Sequence, residues 1–222
     1  MDKPRRLSGA ERTREALIHA GLRLFGSHGF EATSTRALAS EAGANIGSIA
    51  YHFGGKDGLH AACAEYIVDM ISLVAEGAFG EIAAPREDVG PEEARAQLAQ
   101  TLDAMVSFIV ARPEAGEIVQ FVLRELTHPT GALDTIYTGV FEPVHMRLCA
   151  LWAAATGEPA ESENTKITVF TMIGQVVYFR IAREPVMRRM GWKTIGARES
   201  SKVVYIASSN LKAILDSRRR TS

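Results

Sequence analysis

The chain has 222 residues, of which 46% are hydrophobic and 23% charged, and its 19 Gly and 8 Pro follow no period. That composition excludes intrinsic disorder and collagen-like order, and the length suits one large or two small globular domains. The net charge of −1 conceals a division: residues 1–56 carry 8 Lys/Arg against 5 Asp/Glu, which leaves 17 against 21 in the remainder, so the balance is +3 and then −4. A basic leading segment on an acidic body points to a polyanion met at one end only. Cys63 and Cys149 form neither a CxxC pair nor a disulfide framework, which fits buried thiols in a reducing compartment. The leading residues MDKPRRLSGAERTRE lack an apolar run behind their charges, and 18 uninterrupted apolar residues occur nowhere. Neither a signal peptide nor a membrane span is therefore expected, and the expected localisation is cytoplasmic.

Between punctuation marks, apolar residues recur three or four apart rather than alternating, so the expected fold class is all-α with about nine helices. The first opens on Ser8-Gly9-Ala10-Glu11, a Ser-x-x-Glu capping box, and should end at Gly29. Its core face is Leu17, Gly21 and Leu24 with Ile18 and Phe25, while Arg12, Arg14, Glu15 and Arg23 are left for solvent. Two short helices at about 34–41 and 45–51 need packing to persist, since isolated helices of that length are unstable in water. Ser34 and Asn45 are good N-caps, and Gly43 supplies the sharp turn between the two helices. This is helix-turn-helix spacing. A fourth helix spans about 57–80, with Leu59, Ala62, Cys63, Tyr66, Ile67, Met70, Leu73 and Val74 at helical period. After a loop at 83–90 (AAPREDVG), helices follow at about 92–111, 114–127, 132–156, 163–184 and 195–217. They are separated by Arg112-Pro113, His128-Pro129, Gly157-Glu158-Pro159 and Glu184-Pro185. The division expected is an N-terminal helix-turn-helix domain over 1–56, with its helix-turn-helix at about 34–53, and a larger helical domain over 57–222.

The informative segment is 33–59, TSTRALASEAGANIGSIAYHFGGKDGL, where small, polar and aromatic residues surround two short helices with no enzyme-like cluster. Its expected ligand is double-stranded DNA, with the second short helix in the major groove and its neighbours on phosphates. Arg36 suits a guanine edge; Gly47 and Ser48 permit close approach; Ile46, if exposed, suits a thymine methyl. Tyr51 and His52 suit phosphate oxygens, and Lys56 at the start of the fourth helix suits a second phosphate. Ser34, Thr35 and Asn45 complete the candidate DNA-binding set, whereas Phe53 is read as core. A solvated helix arginine is the plainer account of Arg36 taken alone. Lys3, Arg5 and Arg6 form a candidate basic arm. The tail Arg218-Arg219-Arg220 has a helix-dipole explanation and is left out.

This segment resembles the tetracycline-repressor (TetR) family of transcriptional regulators. The resemblance rests on Leu24-Phe25 before Gly29-Phe30, Thr33-Ser34-Thr35-Arg36, Leu38-Ala39, Ala42-Gly43, Gly47-Ser48-Ile49, His52-Phe53, and Lys56 with Leu59. It implies an all-α homodimer with a three-helix DNA-binding domain and a larger C-terminal domain whose small-molecule effector alters the spacing of the two reading heads. Two departures stand out: Ala50 occupies a position where most members carry a backbone-touching Tyr, so that role passes to Tyr51 or is lost, and Asn45 replaces a more usual Ser or Thr. Arg124-Glu125-Leu126, Pro129-Thr130, Leu133-Asp134-Thr135-Ile136, Glu142-Pro143 and Ile173-Gly174-Gln175 look like the CerR-type subgroup. That likeness implies a regulator of drug-tolerance or efflux genes.

In the C-terminal part, Phe108, Phe121, Tyr137, Phe141, His145 and Tyr178 are candidate pocket lining by composition, most of them equally good as core. Arg124 and Glu125, on an otherwise apolar helix, add Glu125 to the pocket set, with an intramolecular salt bridge as the plainer account. Candidate dimer-interface residues are Ile167, Phe170, Ile173, Val177 and Ile181, then Val203, Val204, Ala207, Leu211 and Ile214; the pattern serves an intramolecular core equally well. A helical metal- or cofactor-binding protein or enzyme is the alternative, because Glu125-x-x-His128, His145-x3-Cys149 and His60-x-x-Cys63 each place two potential ligands on one helix face. Each pair stands alone, no phosphate loop or nucleophile elbow occurs, and the expectation is no catalysis, no cofactor and no metal. The expected partners are operator DNA, an unidentified small-molecule effector and a second copy of the chain, with no membrane.

Overall fold

The computed structural model describes residues 8–80 and 89–218, leaving aside the side chain of Phe79. The basic arm at Lys3, Arg5 and Arg6, most of the expected 83–90 loop, and Arg219 and Arg220 lie outside the described residues. Among the described residues every regular element is helical: α1 (Gly9–His28), α2 (Thr35–Glu41), α3 (Gly47–Phe53), α4 (Lys56–Phe79), α5 (Pro91–Met105), α6 (Ala115–Thr127), α7 (Gly131–Ile136), α8 (Glu142–Thr156), α9 (Glu163–Ile181), α10 (Arg183–Met190) and α11 (Ala197–Ser217). Two π-helical stretches, Val106–Ala111 and Tyr137–Phe141, continue α5 and join α7 to α8. The all-α expectation holds, with ten continuous helical segments among the described residues where about nine were expected; the additional one is α10.

The chain forms two compact units. The first comprises residues 1–69 and 117–137. Here α1 opens with its capping box complete: Ser8 Oγ accepts from the Glu11 N–H at 3.2 Å, and the Ser8 N–H donates to Glu11 Oε2 at 2.6 Å. The helix stops at Gly29, whose φ of 82° only glycine adopts without strain. Leu17, Ile18, Gly21 and Phe25 are buried as expected, whereas Leu24 is only half-buried and its neighbour Leu22 is buried instead; Leu38, Ile49, Leu59, Cys63 and Ile67 of the next three helices join them. From α6, Phe121 joins the same interior, with its ring 5.0 Å from that of His60. The unit thus holds the three short-range helices, the first part of α4, most of α6 and all of α7.

The second unit comprises residues 70–116 and 138–222. Its core is the inward stripe of α5, α8, α9 and α11, with Leu98, Leu102, Val106, Leu151, Trp152, Val169 and Val176 among its members. The indole N–H of Trp152 donates to Glu158 at 2.9 Å, so the one polar atom of that fully buried ring is satisfied. Val203, Ala207, Leu211 and Leu215 turn inward from α11 at four-residue spacing.

Candidate nucleic-acid interface

The site is built by α2, α3 and the first residue of α4. Ser34 caps α2, its hydroxyl accepting from the Ala37 N–H at 3.1 Å, and Gly43 makes the turn with φ 60°. α3 starts two residues later than expected, at Gly47, with Ile46 in the cap position. Asn45 still supports that start from one residue further back, because its Oδ1 accepts from the Gly47 N–H at 2.8 Å. The helix also ends later, at Phe53, where Gly54 takes a left-handed conformation. Leu38, Ala39 and Ile49 anchor the pair to the interior, so the opposite faces of both helices are turned outward.

On that outward surface, Tyr51 is 82% exposed and Ile46 51%, and Arg36, Gly47 and Ala50 are exposed with them. Arg36 has no ion-pair or hydrogen-bond partner among the described residues, and Tyr51 touches only the His52 ring, edge-on at 4.8 Å. An exposed isoleucine and a largely exposed tyrosine leave apolar surface in water that a partner would cover, and with the unpaired Arg36 guanidinium they suit thymine methyl, phosphate and guanine respectively. Thr35, Ser48 and His52 are half-buried beside them. Ser34 and Asn45 use their side-chain oxygens for capping. Lys56 begins α4, where backbone N–H groups are unpaired; its ammonium donates to the Phe30 carbonyl at 3.0 Å and lies 4.1 Å from that ring's centre. Two hydrogens of the ammonium remain for a phosphate.

Phe53, read as core, is only half-buried, and the Arg14 guanidinium sits 5.5 Å from its ring centre. Arg14 is exposed, as its helical position predicts, yet it is engaged as well as solvated, and cation–π attraction from another helix leaves no periodic trace. Arg23 likewise is not simply solvated: it bridges Glu41 of α2 at 2.8 Å and Glu117 of α6 at 3.0 Å.

The remaining candidates fall apart into the two units. Glu125 is buried and pairs with His60, Oε1 to Nε2 at 3.3 Å, so the intramolecular account fits it, with a partner other than the adjacent Arg124. Phe121 is core and Tyr137 exposed in the same unit. In the second unit Phe108 is buried, Phe141 half-buried, Tyr178 exposed, and His145 stacks on Phe170 with ring centres 3.9 Å apart. A cavity there of about 20 Å³ is walled by Leu98, Leu102, Met105, Leu148, Val169 and Met172. Of the expected interface, Ile167, Phe170 and Ile181 are exposed and Ile173 and Val177 half-buried on α9. Val203, Ala207 and Leu211 are instead buried in the unit's own core, with Val204 and Ile214 packed against it. Of the metal-ligand pairs, His145 and Cys149 do meet, Nδ1 to Sγ at 3.7 Å, whereas Cys63 donates to the Ile18 carbonyl at 3.5 Å and His128 meets Thr127 at 3.0 Å; no group of three or more His, Cys, Asp or Glu comes together among the described residues.

Residues 17–63 match the family model described as bacterial regulatory proteins of the tetR family, and residues 94–217 match that of the C-terminal domain of the HTH-type transcriptional dual regulator CecR. The chain belongs to the TetR family. It is a helix-turn-helix transcriptional regulator, and its subgroup is CecR, which corrects the CerR label. The HTH-type transcriptional dual regulator CecR of Shigella flexneri is 30% identical over 97% of this chain and 96% of its own length. The regulatory protein RaaS of Mycobacterium tuberculosis is 38% identical over 29% of this chain and 28% of its own length. Among solved structures, a transcriptional regulator of Pseudomonas aeruginosa PAO1 has a TM-score of 0.62 at 20% identity, covering 96% of this chain and 97% of its own. A TetR-like regulator of Rhodococcus sp. RHA1 has a TM-score of 0.60 at 18% identity, covering 95% and 99%. These structures establish the fold. The position where TetR members commonly carry Tyr is the exposed Ala50, and the most exposed aromatic of the site is its neighbour Tyr51.

Proposed function

We propose that this TetR-family regulator is a cytoplasmic repressor whose homodimer binds a palindromic operator and is released by a small molecule. Residues 1–56 form the reading head, and 57–222 the sensing and dimerising part. The observation that carries the reading is the outward exposure of Arg36, Ile46 and Tyr51 on the helix-turn-helix, three side chains of different chemistry and no structural task of their own. Arg36 reads a guanine, Ile46 and Gly47 lie against bases, Ser48 approaches them, and Tyr51, His52 and Lys56 hold phosphates. Two heads of one dimer then address half-sites about one helical turn apart, roughly 34–36 Å. Catalysis has no place in this scheme, since regulation needs only binding.

The apolar cavity of the C-terminal part supports an effector site that is closed in this conformation, because about 20 Å³ holds no more than a single water. Near-complete switching requires the effector to favour one conformation by about 5.5 kcal/mol, so the cavity must open around a well-enclosed ligand. Its Met105 and Met172 walls are the adaptable kind. Operator titration by fluorescence anisotropy tests the reading head. Arg36→Ala should lose about 1–3 kcal/mol and relax specificity at one base pair. Tyr51→Ala should weaken binding evenly across sequences. Specific binding that survived both changes with normal salt dependence would place the reading surface elsewhere.

A further inference from the structure

The first unit contains a second cleft, of about 250 Å³, walled by Phe30, Asp57, His60, Ala61, Thr130 and Thr135 among others. That is room for several waters or a small organic molecule. At its floor the His60 ring is 6% exposed and set among the rings of Phe25, Phe30 and Phe121, with centres 4.8, 5.0 and 5.0 Å away. Nε2 faces the Glu125 carboxylate at 3.3 Å, which fixes the ring proton on that nitrogen in the neutral imidazole. Burial holds His60 below its ordinary pKa against the pull of Glu125 and Asp57, so the neutral form prevails at neutral pH. Nδ1 then carries a lone pair, and among the described residues it has no hydrogen-bond partner.

The other polar side chains of the cleft are acceptors too, and the backbone of Gly131 and Ala132 at the start of α7 lines it beside them. The Thr130 hydroxyl donates to Glu125 at 2.7 Å and the Thr135 hydroxyl to the Gly131 carbonyl at 3.2 Å, so both protons are committed and only lone pairs remain. Asp57 is an exposed carboxylate on the wall. The charges that act on His60 are Glu125, Asp57 and Lys56, two negative against one positive, and the Lys56 ammonium is already held by the Phe30 carbonyl. With Asp57, Nδ1 and the hydroxyl lone pairs as side-chain acceptors, an excess of negative charge and the Phe30 ring on one wall, the cleft is complementary to a donor-rich cation with an apolar body.

We infer that this cleft binds a small protonated amine, its ammonium bridging Asp57 and His60 Nδ1 and its apolar part lying against Phe30 and Ala61. The site is distinct from the apolar C-terminal cavity and draws its walls from α4, α7 and the residues after α1. Its first contact, Asp57, neighbours Lys56 in sequence, so occupancy bears on the edge of the reading surface.

The test uses the full chain without DNA, so its failure and failure of the operator-binding reading are separable. His-ring NMR signals are followed while 2-phenylethylamine, or its neutral isostere 2-phenylethanol, is titrated in, with His60→Gln identifying the His60 signals. The amine should move them, bind at least about tenfold more tightly than the alcohol, and lose about tenfold in Asp57→Asn. Acidification that protonates His60 should weaken the amine further, because Nδ1 ceases to be an acceptor. Equal affinity for amine and alcohol, unchanged binding in Asp57→Asn, or no response of His60 to either compound would overturn the inference.

Discussion

A Cβ at Gly58, in the first turn of α4, would collide with the Phe53 carbonyl oxygen and stand 2.9 Å from its carbon. The obstacle is backbone at the end of α3, so relief requires the recognition helix itself to shift. Gly58→Ala should therefore cost at least about 2 kcal/mol in urea unfolding and lower operator affinity more than tenfold. Gly77→Ala, with open space around its Cβ, should be neutral or slightly stabilising through helix propensity. Equal behaviour of the two variants would remove the steric argument. His60 makes a second residue-scale case. Its folded-state pKa is depressed by burial, so the unfolded chain takes up a proton more readily than the folded one. The stability this contributes is present above the unfolded value, 6.5, and is lost as pH falls from there through the folded value. His60→Gln should be less stable at pH 7 yet lose less on going to pH 5; parallel pH curves for the two proteins would contradict this. The pairing of His60 with Glu125 could not be read from the sequence. Each residue showed only a local motif with a neighbour three positions on, whereas the contact joins distant parts of the chain. The helix-turn-helix was legible because 34–56 is contiguous and its caps, turn and exposed residues follow from local rules.

Helical period and Gly/Pro punctuation located most elements within two or three residues, and the exceptions have backbone causes. Glu184-Pro185 reads as a stop in the sequence, but the break falls at Ala182 and Pro185 lies in the first turn of α10, where its missing N–H would have had no partner anyway. Pro143, inside the expected 132–156 helix, lacks the donor for an ordinary turn, and its ring would crowd the Gly139 carbonyl. The π-helical stretch Tyr137–Phe141 immediately before it widens the helix and keeps it continuous. The other π stretch, Val106–Ala111, ends before Arg112-Pro113, leaving carbonyls that no helix can pair. Arg180 of α9 donates to the Arg112 and Pro113 carbonyls at 3.0 and 2.9 Å, and Arg183 to Val110 at 3.4 Å. Arg180 approaches so closely that a Cβ on Gly116 would lie 2.7 Å from its guanidinium. Arg180→Ala should thus cost about 1–3 kcal/mol, and Arg180→Lys should recover only part, since an ammonium cannot reproduce the planar fork. Denaturant unfolding measures both; full recovery by lysine would mean that charge alone matters there.

For the whole molecule, the question is what covers the outward stripe of α9. Ile167, Phe170, Gly174, Tyr178 and Ile181 follow one another at three- and four-residue spacing, all exposed, with Phe170 60% accessible. Gly174 has open space where its Cβ would be, so a second helix could approach the backbone closely at the middle of the stripe. Tyr205 and Ile206 of α11 are exposed as well, on a helix tied to α9 by the Asn210–Gln175 contact at 3.4 Å. An apolar stripe of this kind is the proposed dimer face, which would bring together the two reading heads of the proposed homodimer. Phe170→Glu together with Ile181→Glu should leave the monomer's helicity intact, because both side chains are solvent-exposed, and convert the sedimenting species from dimer to monomer. Operator binding provides an independent measure. The slope of log K against log salt is about −0.9 for each phosphate contact, so a monomer on one half-site should show about half the wild-type slope as well as a large loss of affinity. A double variant that still sediments as a dimer, or that binds the full palindrome with the wild-type slope, would show that the two heads are held together by some other surface.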